Sequence, residues 1–564
     1  MTVSELPAKD WRIIVAERRK DLDSKIPSEW RLKEDFVSSL PRPTHLLASN
    51  AVEKSGILTD AELDITGSYD ASQLLKKLAS GELSSVAVTT AFCKRAAVAQ
   101  QLTSCLTEHF FDFALERAQY LDDYLKREGK VLGPLHGLPI SLKDSYHVKG
   151  YHTTIGYVSF LEHGRATTNS AVVDMLLDLG AVLYVKTNVP QTMLTADSDN
   201  NIYGRTLNPH NTDLTAGGST GGEGALLALR GSLIGVGTDV AGSIRIPALC
   251  CGIYGFKPTT ARIPYGGQVS FLYEGPPSVE PCAGPMTATF EDLELFMSTI
   301  LDAEPWRYDV TTLAAPWSRN PQLTEPLTIG ILAADEKYPL HPPIKRALQS
   351  AIETLSRKGH RIVYLENDTN KDLDIAYANR LFWQYGTYSP HHDHVTPSGE
   401  PLVTSVAKGP SPMVTGDFPV SKELGIFEEI HELHHKRQDY RDAWRKVWVE
   451  TGIDVILGPG AQNTAVPHDT YAWPPYTVVW NLLDVSTSWR LPLWEAPYPA
   501  CIIPYGQASK ELDPEPMAIH DGMQPSYNPD DVDGAPCALQ IITSRFQDEK
   551  CLAAARIIDR DIRE

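Results

Sequence analysis

The stretch AGGSTGGEGALLALRGSLIGVGTDVAGSIRIPALCCGIYGFKPT, residues 216–259, constrains this chain more than any other part of it. Glycine and other small residues let the backbone pass close to a neighbour or a ligand. Ser219 lies in a glycine-rich loop leading into a predicted helix over 222–229. Ser243 lies in a second loop, at the end of Asp239-Val240-Ala241-Gly242-Ser243, after a predicted apolar strand over 232–237. A helix and a strand fit in the 24-residue gap, so the chain can return beside its starting point.

Several readings of this block compete. Gly235-Val236-Gly237 opens a dinucleotide-type GxGxxG, but Val240 stands where the third glycine belongs. The glycines also fall inside the strand, whereas that motif places them after it. The GK[ST] of a phosphate loop is absent. Gly217-Gly218-Ser219-Thr220-Gly221 is a literal GxSxG, the nucleophile-elbow pattern. An elbow needs a buried strand directly before it, and residues 208–215 are polar and turn-like. A merely structural glycine loop stays open.

The remaining reading is serine chemistry. A serine hydroxyl is a weak nucleophile without a base. Neither loop contains histidine; Lys143, after the apolar strand 138–142, is the other candidate. Lysine accepts a proton only when neutral, and burial lowers its pKa from about 10.4. Consecutive N–H groups at 240–243 can face one way, as an oxyanion requires.

Strand and helix signals alternate elsewhere. Helices are predicted over 8–36, with a break at Pro27 and Ser28, and over 70–79, 84–101, 170–179, 343–358 and 422–450. Strands are predicted over 181–186, 327–332, 361–365 and 454–457. This is an α/β pattern, and no clean linker divides 130–550. The expected organisation is an N-terminal helical extension and linker, 1–56, before one catalytic domain, 57–564. Residues 388–420 read as a long loop.

The net charge of −20 supplies no basic stripe, so a nucleic-acid partner is not expected. Eight scattered cysteines without a CxxC pair read as reduced thiols. The N-terminus lacks a basic leader followed by an apolar run, and no uncharged apolar stretch is long enough to span a bilayer. A cytoplasmic location follows as the expectation.

The block resembles the amidase signature family, whose pattern is matched by GGSTGGEGALLA at 217–228 and GTDVAGSIRIPALCCGIYGFKPT at 237–259. GLPISLKD at 137–144, Lys186-Thr187-Asn188-Val189-Pro190-Gln191 and the 534–552 segment match companion patterns. The region around Trp30 is similar to acetamidase-type and general amidases of fungi. The resemblance implies a mixed, twisted central sheet with helices on both faces. It implies Ser243 as nucleophile, Ser219 as bridging serine after a cis peptide, and Lys143 as base. It places oxyanion donors on the backbone of Val240, Ala241, Gly242 and Ser243, and substrate contacts at Met193, Gly217, Gly218 and Ser219. The implied reaction is hydrolysis of a small-molecule amide through an acyl-enzyme, without metal or organic cofactor; a homodimer is left open. Thr220 replaces the family's second serine, and Asp484-Val485-Ser486 departs from its usual pattern near the pocket. The alternative within the resemblance is an amidase-like subunit of an amidotransferase.

A rival chemistry stands at His431-Glu432-Leu433-His434-His435, a literal HExxH on a predicted helix. Its histidine face also carries Glu428, Gln438 and Asp442 and reads as solvated. The apolar stripe is expected at Phe427, Ile430, Leu433, Tyr440, Trp444 and Val447. His391-His392-Asp393-His394 lies in a proline-flanked loop without an expected catalytic role. The aromatics Trp473, Tyr476, Trp480, Trp489, Trp494 and Tyr498 read as core before pocket.

Overall fold

The computed structural model describes residues 10–270, 279–332, 334–365, 373–387, 393–408, 418–471, 473–483, 498–519 and 524–564. Among them eleven strands form one sheet. They are β1 (Leu106–His109), β2 (Pro139–Lys143), β3 (Val182–Thr187), β4 (Ile234–Asp239), β5 (Tyr254–Lys257), β6 (Cys282–Thr287), β7 (Thr328–Leu332), β8 (Arg361–Leu365), β9 (Val455–Pro459), β10 (Ala500–Gln507) and β11 (Pro536–Ile542). Their spatial order is β1-β3-β2-β4-β6-β5-β10-β11-β9-β7-β8. β2 runs parallel to β3 and β4, and β7 runs parallel to β8 and β9. The other pairs are antiparallel. The fold is therefore α/β around a mixed sheet, with a parallel group on each side of an antiparallel centre. Every residue of β2, β3, β4, β9 and β11 is buried, which requires cover on both faces.

Helix starts follow local chemistry. The helix Ala71–Ser80 begins at Asp70, which shares a capping box with Gln73 and ends at Gly81 with φ 73°. Ser84 accepts from the Ala87 N–H and caps Ser85–Thr103.

The helical pattern expected over 8–36, with its break at Pro27 and Ser28, is observed as Trp11–Ser24 and Glu34–Ser39 on either side of that break, where Pro27 disfavours helical backbone at Ile26. Residues 37–57 are not a bare linker: they contain the helix Ala51–Lys54, and Leu46, Ala51 and Val52 join Ile26 and Trp30 in the main core. The His391–His392 pair, Trp489, Trp494 and Asp484-Val485-Ser486 lie outside the described residues. Trp473, Tyr476, Trp480 and Tyr498 are core. All eight cysteines are buried, and none forms a disulfide. No helix among the described residues is long and apolar enough to cross a membrane.

Candidate active site

Lys143 is the last residue of β2, and Thr238 stands near the matching end of its parallel neighbour β4. Carboxyl ends of parallel strands are where open α/β sheets build sites. The Lys143 side chain is fully buried. Its Nζ lies 2.7 Å from Ser219 Oγ, 2.8 Å from Thr238 Oγ1 and 3.4 Å from the Thr238 carbonyl. Three oxygens around Nζ suit the three donors of an ammonium, and suit equally a neutral amine that donates twice and accepts from the Ser219 hydroxyl. Burial lowers the Lys143 pKa to about 7, although Asp239 and Glu223 pull the other way.

Ser219 follows a cis Gly218–Ser219 peptide and precedes the helix Gly221–Ala228. Only isolated bridges occur in the segment before it, so the GxSxG lacks the strand an elbow needs. A Cβ on Gly218 would lie 2.1 Å from the Thr195 carbonyl oxygen, so no larger residue fits there. Gly217 is buried beside it, and its carbonyl accepts from Ser198 Oγ at 2.8 Å.

Ser243 is 8% exposed, against 3% for Ser219, and follows β4 as expected. The two serine loops are joined by the backbone, where Thr220 N–H donates to the Ser243 carbonyl at 3.2 Å. Among the described residues nothing hydrogen-bonds the Ser243 hydroxyl, and the N–H groups of Val240, Ala241 and Ser243 have no partner. Such groups in a half-buried loop are costly unless something else meets them. The Gly242 N–H differs: it donates to Asp239 Oδ1 at 2.8 Å. Of the four N–H groups expected as oxyanion donors, the Gly242 one is therefore already engaged. Gly242 has φ 125°, and a Cβ there would sit 2.4 Å from Thr477 Oγ1.

Asp239 holds the loop. Its Oδ2 accepts from Ile244 N–H and from Arg245 Nε, at 3.1 and 3.0 Å. Oδ1 accepts from Arg245 Nη2 and Asn481 Nδ2, both at 2.9 Å. Burial alone would raise the Asp239 pKa; Arg245, Lys257 and Asn481 outweigh it and hold the carboxyl well below the usual range. Arg245 also donates to the Thr477 carbonyl and Gln540 Oε1, at 3.0 and 2.8 Å. The i, i+6 spacing of Asp239 and Arg245 was visible in the sequence; Gln540 stood in the matched 534–552 segment without a role assigned to it, and Thr477 carried no local signal. Thr238 was missed for the same reason.

Met193 is 8% exposed at φ 57°, beside Thr192 at φ 73°. It packs with Ile155, Tyr157, Phe160, Val189 and Val395. One residue, Leu194, separates it from Gly218's neighbour Thr195, and the next residue, Ala196, is 3.0 Å from the same Gly218 Cβ position.

The histidine motif sits elsewhere. The helix Ile426–Thr451 exposes His431 and His435, whose Nε2 atoms are 3.0 Å apart. No group of three metal-type ligands gathers there or elsewhere among the described residues. Leu433, Tyr440 and Trp444 are buried as expected, but Phe427 is 86% exposed, so the apolar stripe does not extend to the helix start.

Comparison with known proteins identifies the family. The amidase family profile matches residues 87–552. A Gibberella moniliformis protein named amidase is 43% identical over 552 residues, covering 97% of this chain and 98% of its own. An acetamidase of Emericella nidulans is 36% identical, with 98% of both chains covered. Among solved structures, a fatty acid amide hydrolase superposes with a TM-score of 0.84 at 33% identity, covering 98% of this chain and 95% of its own. The chain belongs to the amidase signature family and is an amide hydrolase.

Proposed function

We propose that the chain hydrolyses linear carboxylic amides through a Ser243–Ser219–Lys143 triad and an acyl-enzyme. The observation that carries this is a fully buried lysine, with its pKa lowered to about 7, 2.7 Å from a serine hydroxyl. Neutral Lys143 takes the Ser219 proton as Ser219 takes that of Ser243. Ser243 Oγ then attacks the amide carbonyl. The unpartnered N–H groups of Val240, Ala241 and Ser243 are the donors for the resulting oxyanion; such donors work by being fixed before charge develops. Collapse passes a proton through Ser219 to the leaving nitrogen, releasing ammonia or an amine. Water, deprotonated by the same relay, frees the acid. Met193, Gly217 and Gly218 line the substrate side of this arrangement.

A fluorophosphonate tests the assignment. Its adduct is expected on Ser243, in the peptide between Gly231 and Arg245. An adduct on Ser219 would reverse the two serines' roles.

A further inference from the structure

A buried carboxylate outside the triad has donors converging on it from several parts of the chain. Glu400 is 5% exposed. Its Oε1 accepts from the Val158 N–H at 2.7 Å and from Ser398 Oγ at 3.2 Å. Its Oε2 accepts from Asn201 Nδ2 at 2.8 Å and from Gln191 Nε2 at 2.9 Å. No Lys or Arg pairs with it among the described residues. Burial, the largest influence, draws its pKa upward, and these donors oppose it. Two donors on each oxygen suit a carboxylate, which accepts on both.

The partners tie separate pieces together. Gln191 Oε1 accepts from the Val403 N–H at 3.0 Å, and its amide also donates to the Pro401 carbonyl at 3.1 Å. Asn201 donates to the same carbonyl at 2.7 Å. The segment 393–403 is thereby pinned across the loop that begins at Gln191. Val395 of this segment packs in the apolar cluster with Met193, Tyr157, Phe160 and Ile155. Gln191 opens directly into the left-handed pair Thr192 and Met193, a conformation that non-glycine residues hold only when their surroundings fix it. Two residues further, the Thr195 carbonyl closes on Gly218, the residue before Ser219.

We propose that Glu400 is a positioning residue: it latches segment 393–403 to the Gln191–Met193 loop and so sets the apolar wall that an aliphatic acyl group meets beside Ser219. This rests on the amide-hydrolase triad proposed above. Met193 packs in one apolar cluster with Val395, Tyr157 and Phe160, and an apolar surface suits a hydrocarbon acyl chain. Glu400 acts through Gln191 and touches no reacting atom.

Kinetics with acetamide and hexanamide, normalised to active sites counted by fluorophosphonate, test the latch. Glu400→Gln puts an NH2 group against converging donors and leaves them unpaired. The expected result is a KM for hexanamide raised about tenfold more than the KM for acetamide, the scale at which an apolar pocket discriminates chain length. Gln191→Ala should shift the ratio in the same direction, and the double variant should do little more than either single one, since both open one latch. Ser398→Ala withdraws a single donor and gives a smaller shift, readable if Glu400→Gln does not fold. A KM ratio equal to wild type in variants that fold and label would overturn the latch alone. A wild-type protein that hydrolyses neither amide and takes no fluorophosphonate would overturn the triad reading, and the latch with it.

Discussion

Two regions of this molecule carry literal catalytic motifs, and they meet opposite surroundings. The glycine–serine loops close over a fully buried lysine. The HExxH helix leaves both terminal histidines exposed. Chemistry follows the surroundings. Burial removes water from Lys143 and brings its pKa to about 7, where an amine can take a proton. Water solvates His431 and His435, and the ligands that would complete a metal site are not gathered around them among the described residues. A motif becomes a site when its fold supplies dryness, fixed donors and a third partner.

The sharpest test of this contrast removes the buried groups. Ser243→Ala should lose fluorophosphonate labelling and lower kcat/KM on the order of 10⁶-fold, as loss of a serine nucleophile does. Lys143→Ala should cost about 10⁴-fold, and Lys143→Arg nearly as much, because a guanidinium does not deprotonate. Retention of a substantial part of the rate by either lysine variant would remove Lys143 from the base role. Ser219→Ala should label slowly, with a loss of about 10²–10⁴-fold, the range for a proton relay. Labelling of Ser219→Ala at the wild-type rate would take Ser219 out of the relay.

The residues that make this contrast were unequally legible. Lys143, Ser219 and Ser243 stand in dense local patterns of small and apolar residues, so strand, loop and helix around them could be read directly. The antiparallel centre of the sheet was not read. β6 carries Pro285 and Gly284, and β10 carries Pro504, residues that argue against a strand when seen locally. They are tolerated here because long-range pairing overrides local preference. The same limit hid Thr238 and Glu400, and hid what Asn481 and Gln540 hold. Their roles come from distant partners, such as Lys143, 95 positions from Thr238, and Arg245, 295 positions from Gln540, and periodicity carries no such information. Phe427 shows the converse error: helical spacing assigned it to the buried stripe, but it is 86% exposed in the first turn of the helix.

A smaller effect sharpens the role of burial. Lys143 in ordinary surroundings would be protonated at any pH below about 10.4 and inactive as a base there. With its pKa lowered to about 7, the neutral fraction rises through neutrality as pH increases. Below that value the ammonium form dominates, and kcat/KM should fall about tenfold per pH unit. Above it the rate should level. A profile of kcat/KM against pH checks this. An acid limb near the histidine range that vanishes in His431→Ala, but persists unchanged in position in Lys143 variants with residual activity, would transfer the titration to the other region.

The smallest effect is expected at the histidines themselves. His431 and His435 face solvent on a helix whose buried contacts are made by Leu433, Tyr440 and Trp444, so replacing them removes little packing. Surface substitutions of this kind change stability by roughly 0.5 kcal/mol or less. His431→Ala and His435→Ala, alone or together, should therefore keep kcat/KM within about twofold and leave the unfolding midpoint nearly in place. A metal chelator should leave the rate unchanged, since every proton and acyl transfer proposed above runs through Ser243, Ser219 and Lys143. The comparison would break if zinc copurified at one equivalent, left on dialysis together with activity, and failed to bind the double histidine variant. The exposed motif would then be the working site, and dry, fixed surroundings would not have decided the chemistry. If zinc instead bound the two histidines weakly and its removal left the rate intact, the pair would be a surface chelator, and the buried serines would keep the reaction.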